Sequence, residues 1–72
     1  MDVIYMYIKG EEYNPMFKWN NFAELKQAVE SGENVPAMDS LVVEAYVLDN
    51  LVDCGNTFDV TYNKLKLMYD YD

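Results

Sequence analysis

Cys54 is the single cysteine of this chain and histidine is absent, which removes the usual staples from a sequence of only 72 residues. An internal disulfide needs a second cysteine, and a structural zinc site needs a tetrahedral set of Cys and His ligands. Small domains bury a modest share of their surface, and ordering each residue costs about 1.5 kcal/mol of conformational entropy. Without disulfide or metal, the fold has to rest on an apolar core, with oligomerisation or docking on a partner as the remaining support. The material for a core is present, because 51% of the residues are hydrophobic and 15% aromatic, which is not the composition of a disordered chain. One domain over residues 1–72 is expected.

Charge sets the second limit. Thirteen Asp and Glu face five Lys and no Arg, for a net charge of −8. Such a chain repels nucleic acid and anionic membranes, and direct nucleic-acid binding needs a cluster of cations to displace phosphate counterions. Lys9, Lys18, Lys26, Lys64 and Lys66 are scattered along the sequence. No direct nucleic acid and no membrane are therefore expected as partners; what the acidity attracts is a basic protein surface. The longest early apolar run, Val3 to Ile8, is too short for a signal-peptide core or a membrane span. With no paired cysteines besides, the expected location is cytoplasmic.

Residues 2–9 are rich in β-branched and aromatic side chains and read as a strand with Val3, Tyr5 and Tyr7 on one face and Ile4, Met6 and Ile8 on the other. A turn at Lys9-Gly10-Glu11-Glu12 leads to a second strand through Trp19, which Pro15 confines to an edge or to a start after the proline. Residues 21–31 carry the clearest helix signal. Asn21 is the cap, Glu24 the reciprocal capping carboxylate, Phe22, Leu25, Ala28 and Val29 the apolar stripe, and Gly32 the left-handed stop. Residues 41–48 have the β-branched density of a strand, while Leu41, Ala45, Leu48 and Val52 also fit a helical stripe between Ser40 and Gly55. Asp49-Asn50 is the expected turn. In the last segment Phe58, Val60, Tyr62, Leu65, Leu67 and Tyr69 share one face of a hairpin turning at Asn63-Lys64. The expected fold is α+β, one helix packed on a mostly antiparallel sheet of four to five strands in the order ββαβββ, with ββααββ as the alternative.

Catalytic constellations are missing. Without histidine, Ser31, Ser40 and Cys54 have no base to activate them, and the acids around Cys54 disfavour a thiolate. The chain is expected not to be an enzyme. Close carboxylate pairs arise by chance when acids are this frequent. Asp49, Asn50, Asp53, Asn56 and Asp59 are the densest oxygen cluster, but their spacing does not match a calcium loop and turn chemistry accounts for several of them. Gly10, Gly32 and Gly55 form no phosphate-binding loop, so no cofactor and no metal are expected.

What is left is surface. A charge of −8 exceeds what solubility needs and works against compaction. A single helix covers one face of a sheet, so one apolar face of the first strand is left open, and an open face rich in Tyr and Met has the makeup of an interface. The residues expected to bind a partner are Glu11, Glu12, Asp59, Asp70 and Asp72 as carboxylates, the last two at strand spacing on one side, with Tyr5 and Tyr7 as central aromatic contacts. In size, charge and mixed strand-helix makeup the chain is similar to small acidic inhibitors of phages and mobile elements, such as anti-restriction, anti-CRISPR and uracil-DNA glycosylase inhibitor proteins. No motif is shared with them, so no functional residue carries over. The resemblance implies a DNA mimic that blocks the nucleic-acid-binding surface of a basic protein. The alternative is a structural or oligomeric module, such as a homodimer, whose acidity serves only solubility.

Overall fold

In the computed structural model, which describes residues 3–13 and 17–69, the chain forms β1 (Ile4–Ile8), β2 (Phe17–Trp19), α1 (Phe22–Ser31), β3 (Leu41–Val47), β4 (Asn50–Asp53), β5 (Asn56–Thr57) and α2 (Phe58–Tyr69). The fold is α+β. All strand pairs are antiparallel, in the order β2-β1-β3-β4, with β5 also on β3. β4 and β5 run along the same edge of β3, interrupted by Cys54-Gly55, where Gly55 takes a φ of 76° and its N–H donates to the Val42 carbonyl at 2.7 Å. The strand reading of residues 41–48 holds over Leu41–Val47, with Leu48 in the turn that follows, and the helical alternative there does not hold.

Helix α1 forms where its local signals place it. The Asn21 side chain accepts the Glu24 N–H at 2.9 Å. The Glu24 carboxylate reaches one residue further back than the cap, to the Asn20 N–H at 3.3 Å and the Asn20 amide at 3.1 Å. Gly32, with a φ of 74°, closes the helix by donating to the Ala28 carbonyl at 2.8 Å. An L-residue at this φ is strained by its own Cβ, which is why glycine stands here.

The last segment corrects the expected hairpin. Residues 58–69 are helical, and the turn proposed at Asn63-Lys64 lies inside α2. Two periods compete in this stretch. The alternating set includes Val60 and Leu67, which end up 40% and 71% exposed. The helical set, Phe58, Thr61, Tyr62 and Leu65, is buried and spaced at i, i+3, i+4, i+7. Thr57 caps the helix by accepting the Val60 N–H at 3.3 Å. Loop carbonyls of Ser40 and Met38 accept the Phe58 and Asp59 N–H groups at 2.8 and 3.0 Å, so these first-turn donors are satisfied. Asn-Lys is in any case a poor tight turn, because neither residue is glycine.

Both helices pack on one side of the sheet. The core joins Ile4, Met6 and Ile8 of β1 to Val42, Ala45 and Val47 of β3, Trp19 of β2, Phe22 and Leu25 of α1, and Phe58, Tyr62 and Leu65 of α2. A row of stacked rings runs through it: Phe17 to Trp19 at 6.1 Å, Trp19 to Phe58 at 6.4 Å, Phe58 to Tyr62 at 6.2 Å, Tyr62 to Phe22 at 5.9 Å and Phe22 to Tyr69 at 5.4 Å. Offset rings at these separations attract beyond simple area burial. Large aromatics thus do in one layer what a small aliphatic core could not. Pro15 lies outside the described residues, and β2 begins after it, at Phe17, as an edge strand.

Candidate functional site

The register of β1 against β3 decides which side chains reach the uncovered side of the sheet. Ile4 pairs with Val47, Met6 with Ala45 and Ile8 with Val42, all facing the helices. Tyr5 pairs with Tyr46 and Tyr7 with Glu44 on the other side. The register shifts between Tyr7 and Ile8 because Val43 is an extra residue on β3. This bulge resets the alternation, so that Val42 and Ala45 both face the core while Glu44 and Tyr46 share the open face.

The open face carries a tyrosine cluster. Tyr5, Tyr7 and Tyr46 are half-buried and, with Glu44 and Asp49, line an open depression of about 330 Å³. Directly opposite residues on neighbouring strands have Cβ atoms about 5 Å apart, and alternate residues along a strand are about 6.8 Å apart. The rings and Glu44 therefore stand as a compact two-by-two patch. The Tyr46 hydroxyl donates to Glu44 Oε2. That bond, together with desolvation and the neighbouring carboxylate charge, holds the Tyr46 hydroxyl above its usual value, so it remains a proton donor. Across the sheet Lys18 pairs with Tyr5, and its Nζ lies 5.5 Å from the centre of the Tyr5 ring, within range of a cation–π attraction.

The expected binding residues divide. Tyr5 and Tyr7 are brought together on this face. Glu11 and Glu12 are exposed in the turn that follows β1, where Glu12 Oε1 accepts the Gly10 N–H at 3.0 Å and the Glu11 N–H donates to the Ile8 carbonyl at 3.0 Å. This turn continues from the Tyr7 end of the strand. Asp59 is not on a strand. It is exposed in the first turn of α2, in the helical layer, where its carboxylate accepts from Asn63 at 3.5 Å. A carboxylate there favours the positive helix end. Asp70 and Asp72 lie outside the described residues. Glu44 and Tyr46 were missed although plain alternation along a strand over 41–48 puts them on one face; the bulge at Val43 changes only the side taken by Val42 and the residues before it.

No family model, curated protein or solved structure matches this chain.

The oxygen-rich stretch from Asp49 to Asp59 does not converge. Among the described residues no group of three His, Cys, Asp or Glu side chains is placed to hold a metal ion. Asp53 instead ties the sheet to α2. Its side chain is 8% exposed and meets Lys64 Nζ at 2.9 Å, while its other oxygen accepts from the Asn56 amide and from the Cys54 N–H at 2.9 Å. Burial pushes the Asp53 carboxyl up, but the bonds from Lys64, Asn56 and Cys54 and the Lys64 charge outweigh it and hold the carboxyl below its usual value. Among the described residues no helix is long and apolar enough to cross a membrane.

Proposed function

We propose that this protein is a non-enzymatic, acidic binding domain that docks its open sheet face on a basic, nucleic-acid-binding surface of another protein and blocks it. The observation that carries the reading is the uncovered face bearing Tyr5, Tyr7 and Tyr46 beside Glu44 and Asp49. Tyrosine is the residue type enriched at interface centres, and it gives large contact area with few rotamers to fix. Carboxylates beside it, on a chain of net charge −8 without arginine, match a surface built to hold phosphates. Glu11 and Glu12 extend the negative surface past the end of β1. Opposite charge speeds encounter and selects the partner, while the apolar ring surface supplies the lasting contact.

The test is capture on immobilised protein at low and high salt, with the wild type beside a Tyr7→Ala/Tyr46→Ala variant. The expected captives bind nucleic acid when free and release it when the acidic domain is added. Capture should weaken steeply as salt rises and fail with the double variant. Captives that keep their nucleic acid in the presence of the domain refute the reading.

A second reading, self-association, draws on a different surface. Exposed Leu48, Leu51 and Met68 line a hollow at the β4 edge of the sheet, with half-buried Val52 and Tyr69 and buried Val47 beneath. Light scattering at micromolar concentration separates the two, since self-association gives a dimer that Leu51→Lys disperses.

A further inference from the structure

The depression on the tyrosine face has the chemistry of a receptor for one positively charged side chain. Aromatic rings attract cations through their electron-rich faces, most strongly where the site is partly desolvated. Here three half-buried tyrosines converge with two carboxylates in one hollow of about 330 Å³, room for a single long side chain. The sheet already holds a cation on this surface: Lys18 lies over the outer ring, Tyr5. Lys18 does not line the hollow itself, which is left to Tyr5, Tyr7, Tyr46, Glu44 and Asp49. Glu44 is held in place by the Tyr46 hydroxyl through one oxygen, and no hydrogen bond or ion pair to the Asp49 carboxylate exists among the described residues.

We infer that this hollow accepts an arginine side chain of the partner protein, its guanidinium lying on the tyrosine rings and donating to Glu44 and Asp49. The inference rests on the proposed function for its partner and adds the contact at the centre of it. Arginine fits better than lysine for a geometric reason. Its planar head stacks on ring faces and its donors point outward in a fixed fork, so one group satisfies two separated carboxylates while lying flat. An ammonium is a compact, strongly hydrated point charge and meets one of these demands at a time.

The probes are the blocked tripeptide Gly-Arg-Gly and its lysine counterpart, titrated at low salt into the isotope-labelled protein while the tyrosine ring resonances are followed by NMR. The arginine peptide should shift the rings of Tyr5, Tyr7 and Tyr46 saturably. Glu44→Gln should weaken it about tenfold, as expected for loss of one charge-assisted contact, and the lysine peptide should bind several-fold more weakly. Glu44 is exposed, so this variant folds; Tyr46→Phe, which frees Glu44 but keeps the ring, gives a second and smaller loss. Equal binding of the lysine peptide, or ring shifts unchanged in both variants, overturns the assignment. A protein that captures basic partners through this face while both variants and both peptides behave alike refutes the arginine site and leaves the proposed function standing. A protein that binds the arginine peptide as described yet captures no basic partner supports the hollow and refutes the proposed function.

Discussion

Thr61 sits in the middle of α2 with no exposed surface, and its hydroxyl has no hydrogen-bond partner among the described residues. A buried hydroxyl left unpaired costs about 1–3 kcal/mol relative to water. Valine has the same branched shape with a methyl in place of the hydroxyl. Thr61→Val removes that penalty and adds buried apolar surface, and it keeps a β-branched side chain at this position. A gain of about 1 kcal/mol is expected, or about 4–8 °C in Tm for a domain of this size. In urea, with a slope of about 1 kcal/mol/M for small domains, the midpoint should move up by about 1 M. Trp19, which is buried against Phe58, reports the transition by fluorescence. The opposite perturbation is Thr61→Asp. Total stability for 72 residues is on the order of 4–11 kcal/mol, and an unpaired buried carboxylate costs several kcal/mol, so this variant should be largely unfolded at neutral pH. In the hairpin reading Thr61 lies on the polar face with Asp59 and Lys66, and both substitutions would be nearly neutral. A folded Thr61→Asp protein with an unchanged urea midpoint would refute the placement of α2 and the core built on it.

Leu48 and Asp49 link β3 to β4 with φ values of 52° and 64°, the sign pattern of a type I′ hairpin turn. Leucine is strained there by about 1–2 kcal/mol, and Leu48 is exposed, so Leu48→Asn should raise the unfolding free energy by about 1 kcal/mol; an unchanged denaturation midpoint counts against this turn. Acid stability follows from Asp53. Its folded carboxyl titrates below its ordinary value, so the stability it contributes is complete above that ordinary value and is lost as pH falls through the folded one. Lys64 is half exposed, so Lys64→Met should cost only about 0.5–1 kcal/mol at neutral pH. The difference between the two proteins should shrink in urea titrations as pH falls through the folded titration of Asp53, below its ordinary value.

Helix α1 was legible residue by residue because its signals are local: a cap at Asn21, a carboxylate at Glu24, a stripe through Phe22 and Leu25, and a stop at Gly32. β1 and β3 were legible from β-branched and aromatic density, and the acidity from counting. The hairpin turn was placed one residue late, at Asp49-Asn50 instead of Leu48-Asp49. Turn position follows strand register, and the register here is shifted at bulges.

Residues 58–69 show what local pattern leaves open. Phe58, Tyr62 and Leu65 belong to both an alternating and a helical set, and Thr61 against Val60 and Leu67 separates the two. The outcome is set by Trp19 and Phe22, from distant parts of the chain, whose rings are covered when Phe58 and Tyr62 arrive on one helix face. The tyrosine site has the same origin. Both faces of β1 are apolar enough to be buried, and the helices cover the Ile4, Met6 and Ile8 side. Tyr46 and Glu44 pair with Tyr5 and Tyr7 on the side left open, and the extra residue at Val43 returns Val42 to the core side. Periodicity states which side chains share a face; which face meets solvent depends on what packs over the other, and that is a property of the folded chain as a whole.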